Sequence, residues 1–294
     1  MPLTALDGMT IEQYRQFYAE EIRTVANVDS PALTDAFARV PRERFLGPPP
    51  WRFDSGQSIK PPAYRATTDV RDIYHDVFVA LKSDQFLNNG QPSLIARLIS
   101  ALRLAPGKRV LHIGCGSGYY TAIMAEVVGP EGEVIAIEVD SDLAAQATAN
   151  LVEYNNVVVV NRDGAAFDPS PCDAILVNAG VTRPLPSWFE CLHEAGVLVL
   201  PLCIGKSPSS RDALVLEITR RQNRYSADLL LLMTIYSSAS MRDSAVQSQL
   251  NDSLEARAIL RLRSVRIQDH IQSDTCIVHT PGFCLSAESA EPNQ

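Results

Sequence analysis

The residues best suited to chemistry lie between Arg109 and Tyr119, where the chain reads RVLHIGCGSGY. An apolar run over 110–113 predicts a strand, and an amphipathic stretch over 119–128 predicts a helix. The glycines between them permit backbone angles that a Cβ would forbid, and they let a ligand approach the main chain closely. Free N–H groups at the start of the helix would face that ligand. The turn therefore provides these candidate ligand contacts: Gly114, Cys115, Gly116, Ser117 and Gly118.

An acidic residue follows the glycine turn at an informative distance. A second apolar run over 133–139 predicts a strand, and Glu138 lies 20 positions after Gly118 (138 − 118). In a Rossmann-type unit this spacing places a carboxylate against the two hydroxyls of a ribose. Each charge-assisted hydrogen bond from a hydroxyl would contribute about 1.5–3 kcal/mol. The simpler interpretation of Glu138 is a solvated carboxylate at the end of a strand.

The order of these motifs resembles the pattern of S-adenosylmethionine (SAM) methyltransferases, which have Gly-x-Gly-x-Gly followed by an acid at the end of the next strand. Nicotinamide-dependent enzymes more often show Gly-x-Gly-x-x-Gly. Here a single residue separates the second glycine from the third. The resemblance implies SAM as the cofactor.

Apolar strands that alternate with helices continue toward the C-terminus. They predict an α/β fold of the Rossmann-like, doubly wound type, with a mostly parallel sheet covered by helices on both faces. An antiparallel C-terminal strand pair over 213–219 and 228–236 would complete the sheet. Ligands of such folds bind at the carboxyl ends of the strands. Three further candidate cofactor contacts follow predicted strands: Asp163, Gly164 and Asn178.

The pattern divides the chain into three parts. Residues 1–85 are predicted to form an N-terminal helical and irregular segment, and residues 86–240 a SAM-binding methyltransferase domain. Residues 241–294 are predicted to form a C-terminal extension.

Finer predictions concern the two outer parts. We expect the first 45 residues to be helical, the Pro-rich stretch 47–72 to be irregular, and 73–81 to form a short strand. In the extension we expect a helix over 244–263 and a weak strand over 276–279.

Composition limits the class of protein. The chain has 294 residues, 46% of them hydrophobic and 20% charged, as in soluble globular proteins. A net charge of −8 argues against nucleic-acid binding, which needs a basic surface. The six cysteines form no Cys-x-x-Cys pair, so we expect reduced thiols and no metal site. No leader pattern and no apolar run of 18 residues is present, so we expect a cytoplasmic protein without a membrane partner.

Further stretches resemble protein-L-isoaspartate O-methyltransferases. FARVPRERF at 37–45 is similar to that family's N-terminal helix and its exit, and IYHD at 73–76 is similar to its Tyr-x-Asp before the substrate loop. The glycine turn, Glu138 and Asp163–Gly164 match the family's SAM-binding motifs in order and spacing. The resemblance covers about residues 28–240 and implies carboxyl O-methylation.

The resemblance also implies a role for each matching residue. Gly114, Gly116 and Gly118 would pass beneath the methionine moiety of SAM. Glu138 would accept hydrogen bonds from the ribose hydroxyls, and Asp163 would accept one from the adenine amino group. Asp163 with its following glycine is otherwise a simple turn.

The stretch that corresponds to the family's substrate loop departs from its pattern. The family has Gly-Gln-Thr-Ile-Ser-Gln-Pro, whereas 86–92 reads FLNNGQP and has Gly90 in place of the serine. We therefore expect the loop to hold an acceptor shaped differently from an isoaspartyl group, because amide side chains offer both donors and acceptors. The substrate-loop candidates are Asn88, Asn89 and Gln91.

Two histidines have candidate roles in the site. His112 stands where the family usually has an acid, and it would lie either near the cofactor sulfonium or packed in the core. His75 is the candidate general base for an alcohol or phenol acceptor, and is otherwise a surface residue. A carboxylate acceptor is already ionised at neutral pH and needs no base.

Four functions compete. The first is an isoaspartyl carboxyl methyltransferase, and the second is a methyltransferase of the same fold acting on a peptide natural product or small-molecule acceptor. The third, a nicotinamide oxidoreductase, is disfavoured by the glycine spacing and by the lack of a Tyr-x-x-x-Lys pair. The fourth is a SAM-binding protein without catalysis. Nothing in the sequence indicates the oligomeric state.

Overall fold

The computed structural model describes residues 8–56, 64–82, 84, 87–205, 210–238 and 240–290. The N-terminal part contains two helices, α1 (Ile11–Ala26) and α2 (Pro31–Arg39), followed by a 3₁₀ turn over Arg42–Phe45. A capping box starts α1, since Thr10 and Gln13 each accept the other's backbone N–H. The predicted helical character is confirmed for the described residues of this part, while residues 1–7 of the prediction lie outside them.

A small antiparallel sheet follows. Its strands are β1 (Trp51–Asp54), β2 (Arg65–Thr67), β3 (Phe78–Lys82) and β4 (Leu87–Asn88), in the order β2-β1-β3-β4. The prediction that 47–72 is irregular is therefore wrong for the strands within it, while its residues 57–63 lie outside the described part of the chain. The strands are only three or four residues long and are surrounded by prolines, so they leave no periodic pattern.

The strand predicted over 73–81 begins five residues later than expected, with β3 at Phe78. Asp69 accounts for the difference, because its carboxylate accepts the N–H of Arg71 at 2.9 Å and starts a 3₁₀ turn over Val70–Ile73. The apolar run is thus shared between a turn and a strand.

The parallel half of the large sheet forms the centre of the molecule. Its elements are α3 (Pro92–Ala101), β5 (Arg109–Ile113), α4 (Tyr119–Val128), β6 (Glu133–Glu138), α5 (Ser141–Asn150), β7 (Val157–Asn161), β8 (Cys172–Val177), α6 (Pro186–Glu190) and β9 (Leu192–Cys203). The strands pair in parallel in the order β9-β8-β5-β6-β7. The predicted Rossmann-like, doubly wound α/β fold is confirmed.

The antiparallel half is larger than the predicted strand pair. Its elements are β10 (Asp212–Arg221), β11 (Arg224–Thr234), α7 (Ser244–Glu255), β12 (Ser264–Arg266), β13 (Cys276–Thr280) and β14 (Phe283–Ser286). They extend the sheet to ten strands in the order β9-β10-β11-β12-β14-β13 at this side. The helix predicted over 244–263 ends at Glu255, because Arg257 adopts a left-handed backbone angle of 56° before a 3₁₀ turn. None of the described helices is long and apolar enough to cross a membrane.

The parallel strands are buried on both faces. Val110 and Leu111 are neighbours on β5, yet Val110 packs into one hydrophobic cluster with α1 to α4 and Leu111 into the other with α6 and α7. Successive side chains of a strand point to opposite faces, so both faces of the sheet must be apolar. Because helices cover both faces, a ligand site can form only at the ends of the strands.

A buried arginine positions the segment that leads into β3. Arg42 has no exposed surface, and its guanidinium donates to the carbonyl oxygens of Ile73, His75 and Val77 at 2.5–3.0 Å. The fork-shaped donor set suits several acceptors at once. Arg42 thereby fixes the backbone ahead of the predicted substrate loop.

Candidate cofactor and acceptor site

A cavity of about 870 Å³ lies at the carboxyl ends of β5, β6 and β8. Residues 87–91 and 232–238 form further walls. The chain continues from β5 to β6 and β7 on one side and returns to β8 on the other, which is the switch point where open α/β sheets bind ligands. Every predicted cofactor contact except Gly118 lines this cavity: Gly114, Cys115, Gly116, Ser117, Glu138, Asp163, Gly164 and Asn178.

The glycine turn joins β5 to α4 with backbone angles that favour glycine. Gly114 and Gly116 have φ values of 80° and 57°. A Cβ on Gly114 would lie 3.1 Å from the carbonyl oxygen of Asn178, whereas one on Gly116 would meet only Leu81, at 3.5 Å. A side chain at position 116 therefore has room in the protein itself and would extend beside the cavity.

Gly118 has a packing role instead. It is the N-cap of α4 with a φ of 94°, and a Cβ there would lie 2.7 Å from Leu151 Cδ1. The third glycine of the motif thus allows α4 to approach the end of α5. It does not line the cavity.

Glu138 is the last residue of β6 and is only 7% exposed. Its Oε2 accepts the backbone N–H of Gly116 at 2.7 Å, and its Oε1 accepts that of Asp140 at 3.0 Å. A carboxylate has about four lone-pair sites, so these two bonds leave acceptor capacity on both oxygens. Glu138 is therefore both an organiser of the turn and an available acceptor at the cavity.

The remaining cofactor candidates follow β7 and β8. Asp163 accepts the N–H of Ala165 at 2.9 Å and caps a short 3₁₀ turn. A Cβ on Gly164 would lie 2.6 Å from Ile113 Cγ2, so this position requires glycine for packing. The Asn178 amide donates to the carbonyl oxygen of Gly114 at 3.4 Å.

Cys115 and Ser117 are buried residues of the turn. Burial raises the pKa of the Cys115 thiol well above its ordinary value. The thiol therefore stays protonated at neutral pH and is suited to lining the cavity rather than to nucleophilic attack. Ser117 is tied to α5, because its carbonyl oxygen accepts from the Asn150 amide at 3.0 Å.

The predicted substrate loop lines the opposite wall of the cavity, although its first residue, Phe86, lies outside the described part of the chain. The Asn88 side-chain oxygen accepts the N–H of Gly90 at 2.9 Å, and that of Asn89 accepts the N–H of Val79 at 2.8 Å. These bonds fix which end of each amide is oxygen. The Nδ2 of Asn89 is then a buried donor without a hydrogen-bond partner among the described residues.

Gln91 stabilises the conformation of the loop. Its Nε2 donates to Asp76 Oδ2 at 2.9 Å, and the same carboxylate accepts the N–H and the hydroxyl of Ser93 at the start of α3. Gln91 therefore lines the cavity while its amide nitrogen holds the loop against the segment before β3.

The structure places both histidine candidates away from the cavity. His75 is exposed and its Nδ1 lies 3.4 Å from Glu21 on α1, whose hydrogen bond raises the histidine pKa. His112 is completely buried, with Nδ1 2.9 Å from the Thr121 hydroxyl, and burial lowers its pKa to about 3. His112 is thus a neutral core residue, and His75 does not reach the site.

Sequence reasoning missed the wall formed by the antiparallel strands. Arg211, just before β10, lies with its guanidinium 4.2 Å from the centre of the Tyr236 ring, and both residues line the cavity. The segment after β11 adds the hydroxyl-bearing residues Ser237 and Ser238 to the same wall. The available signal was a cation directly before the first strand of the predicted antiparallel pair.

The fold and the position of the cavity define a class I methyltransferase architecture, as comparison with solved structures shows. A protein-L-isoaspartate O-methyltransferase structure matches with a TM-score of 0.64 and 25% identity, over 87% of this chain and 73% of the other. A Plasmodium falciparum structure assigned to the same family and solved with S-adenosyl-L-homocysteine has a TM-score of 0.58 at 19% identity, over 76% of this chain and 97% of the other.

Sequence comparison identifies the family. The family model of protein-L-isoaspartate(D-aspartate) O-methyltransferase matches residues 15–236, so the chain belongs to that family. A protein-L-isoaspartate O-methyltransferase of Ignicoccus hospitalis is 37% identical over 133 residues, which are 44% of this chain. The matched stretch spans 62% of that relative's own length, less than two thirds.

Proposed function

We propose that the protein is a SAM-dependent O-methyltransferase that methylates a carboxylate. The observation that carries the proposal is the hydrogen bond from the Gly116 N–H to the Glu138 carboxylate. It lies at a cavity that the substrate loop also lines. Membership of the isoaspartyl methyltransferase family supports the same reaction class. When bound, SAM supplies a methyl group activated on a sulfonium sulfur.

The residues of the cavity fit this cofactor. Gly116 leaves open space that a larger side chain would fill, and Glu138 keeps acceptor capacity for two ribose hydroxyls. Asp163, two residues after β7, would accept from the adenine amino group. The first two residues of α4, Tyr119 and Tyr120, line the same cavity as the glycine turn.

The acceptor side offers donors. The Asn89 amide nitrogen is buried without a partner among the described residues, at a cost of about 1–3 kcal/mol unless a ligand oxygen accepts its hydrogens. Arg211 lines the same cavity with a positive charge. A carboxylate acceptor would suit these two kinds of group, because carboxylate oxygens accept hydrogen bonds from amides and attract cations.

The methyl group that SAM supplies would pass to a carboxylate oxygen, with Gly116 and Glu138 holding the donor and the substrate loop holding the acceptor. A carboxylate is ionised at neutral pH, so no proton has to be removed. The chain's contribution would be to position the acceptor beside the donor, because the cofactor itself carries the activation. The placement of His75 and His112 away from the cavity agrees with a mechanism that uses no histidine base.

A second candidate, a methyltransferase of the same fold with another carboxylate acceptor, is favoured by position 90. Gly90 has a φ of 77°, and a Cβ on it would lie 3.1 Å from Ile95 Cγ1. A serine like that of the family's loop would therefore strain the backbone at this φ and push the Ile95 side chain aside by a few tenths of an ångström. The acceptor could then be a peptide natural product or a small-molecule carboxylate instead of an isoaspartyl protein.

We also propose the cytoplasm as the location, since all six cysteines are free thiols. The division into 1–85, 86–240 and 241–294 is proposed as a functional one. Strands of residues 241–294 nevertheless belong to the same ten-stranded sheet as the strands of residues 86–240.

Transfer of labelled methyl from SAM to peptide and small-molecule carboxylates tests the proposed function. A carboxyl methyl ester releases methanol in mild alkali, whereas a methyl ether or methylamine does not. We expect alkali-labile label, and we expect Arg211→Met to raise the acceptor KM while Arg221→Met, at the exposed end of the same strand, leaves it unchanged. Alkali-stable label would contradict carboxyl methylation, and no transfer to any acceptor would contradict catalysis.

A further inference from the structure

Four side chains of the C-terminal extension converge outside the cavity. The candidate ligand atoms of His270, Cys276, His279 and Cys284 all lie within 4.8 Å of one another. Two thiols and two imidazoles form the ligand set of closed, tetrahedral structural zinc sites. We propose that these residues form a structural zinc site, here called the Cys₂His₂ cluster.

The strand register brings three of these residues to one face. Cys284 on β14 is opposite His279 on β13, and Ser286, two residues further, is opposite Cys276. Cross-strand partners share a face, and so do residues two apart on one strand. Cys276 and His279 are three apart, and a bulge between Cys276 and Val278 inserts the extra residue that turns both to the same side.

Hydrogen bonds orient the ligand atoms as metal sites require. His270 Nδ1 lies 2.9 Å from the carbonyl oxygen of Gln268, to which it donates, and this leaves Nε2 free of hydrogen and 3.6 Å from Cys276 Sγ. A second ring nitrogen bonded to a backbone carbonyl is the usual support of a zinc-bound histidine. The N–H of Ser273 donates to Cys276 Sγ at 3.4 Å and would stabilise a thiolate there.

Burial supports the remaining two ligands. Cys284 has no exposed surface. His279 Nδ1 is buried and has no hydrogen-bond partner among the described residues, which is costly unless another group binds it. A metal ion in the Cys₂His₂ cluster would bind that nitrogen.

Ligand chemistry selects the metal. Zn–S bonds of about 2.3 Å and Zn–N bonds of about 2.0–2.1 Å in a tetrahedron place ligand atoms roughly 3.3–3.8 Å apart. The 3.6 Å between His270 Nε2 and Cys276 Sγ falls in that range, and all four candidate ligand atoms lie within 4.8 Å of one another. Calcium and magnesium prefer oxygen ligands, so thiolates and imidazoles favour zinc.

The site would fasten the outer end of the sheet. It joins the 267–275 connection to the β13–β14 hairpin, and the backbone N–H of His279 also donates to Gln249 of α7 at 3.2 Å. The expectation of no metal site considered cysteine spacing alone, whereas here cysteines alternate with histidines as His-x₅-Cys-x₂-His-x₄-Cys.

The test uses the full-length, reduced protein. We expect about one zinc per chain by mass spectrometry of metal content, and, after replacement by cobalt, thiolate charge-transfer and tetrahedral d–d absorption bands. His279→Gln and Cys284→Ser should each weaken zinc binding by more than about 100-fold. The controls His193→Gln and Cys191→Ser, outside the Cys₂His₂ cluster, should retain the wild-type affinity.

Competition between the wild-type protein and a chromophoric chelator gives the affinity even if a variant fails to fold. Removal of the metal should lower Tm, and added zinc should restore it. The proposal is overturned if reduced wild-type protein retains no zinc after gel filtration with excess metal. It is equally overturned by octahedral cobalt spectra, or by a Cys276–Cys284 disulfide that excludes metal in protein from reducing cells.

Discussion

The backbone N–H of Gly116 donates to the Glu138 carboxylate at 2.7 Å, so the glycine turn after β5 and the acid at the end of β6 form one structural unit. The bond orients the carboxylate before any ligand arrives. Two positions that are separate in the sequence motif therefore act together in binding.

Replacing Glu138 with Ala should weaken SAM binding by about 10- to 100-fold, the loss of one or two charge-assisted hydrogen bonds. Isothermal calorimetry measures this effect. Glu133→Ala at the start of the same strand, where the carboxylate pairs with Arg109 on the surface, is the matched control and should bind normally. An unchanged affinity in a folded Glu138→Ala protein would remove Glu138 from the proposed site.

Gly116→Val should abolish SAM binding while the chain still folds. A Cβ at this position meets only Leu81, at 3.5 Å, so the branched side chain extends toward the space that the ligand needs. Gly107→Val is the control, because Gly107 has a φ of 80° and open surroundings away from the cavity. Circular dichroism shows whether each variant folds, and calorimetry measures its SAM affinity. Normal SAM binding by Gly116→Val would show that the turn has only a structural role.

Isoaspartyl peptides should be poor substrates, with kcat/KM lower by about 10- to 100-fold than for an enzyme that has the family's serine loop. Gly90 supplies no hydroxyl at that point, and its neighbours offer amides. A methyl-transfer assay with an isoaspartyl peptide and its aspartyl counterpart decides the matter. Efficient and selective methylation of the isoaspartyl form would refute this expectation.

Gln91→Ala should lower turnover of the true acceptor more than it lowers SAM affinity, because Gln91 holds the acceptor loop through Asp76. Gln16→Ala, on the exposed face of α1, serves as the control. Equal losses in turnover and in SAM affinity would show that the loop supports the whole cavity rather than the acceptor side.

Stability should fall on acidification because of His112. Burial lowers the pKa of His112 to about 3 in the folded protein. The pKa of a histidine in the unfolded chain is about 6.5. Between these values the unfolded chain binds a proton that the folded chain cannot bind, so this stability is present above about pH 6.5 and is lost as the pH falls toward about 3. His112→Asn should flatten the slope of unfolding free energy by up to about 1.4 kcal/mol per pH unit. Denaturant titrations over this pH window measure both proteins, and parallel curves would contradict the assignment.

Arg42→Lys should reduce the unfolding free energy by about 3–5 kcal/mol. A single ammonium cannot serve the carbonyl oxygens of Ile73, His75 and Val77 in their present positions. Arg39→Lys, an exposed substitution at the end of α2, should change stability little. Urea unfolding measures the stability of the two variants. Equal stabilities would show that the segment before β3 does not need the guanidinium hydrogen bonds.

The parts of the fold that were predictable have strong local patterns. The turn after β5, the helix that follows and Glu138 at a strand end could be predicted because glycine chemistry and apolar periodicity act within a few residues. His112 was ambiguous because a strand buried on both faces does not show in its sequence which way each side chain points.

Other features depend on distant pairing. The loop amides are held by Val79 and Asp76, so their orientation follows from the position of β3, which local sequence does not determine. The strands β12 and β14 have three and four residues, too few for a periodic pattern. Arg211 reaches the cavity only because β10 pairs between β9 and β11 in the large sheet.

The order of strands in the large sheet has a consequence for synthesis on the ribosome. From β8 onward to β12, each new strand pairs beside the one made just before it. The sheet can thus grow outward from β5 as the chain emerges, without waiting for distant partners. The described walls of the cavity are complete once Met241 has left the exit tunnel, so the growing polypeptide can close its ligand pocket before the extension has emerged.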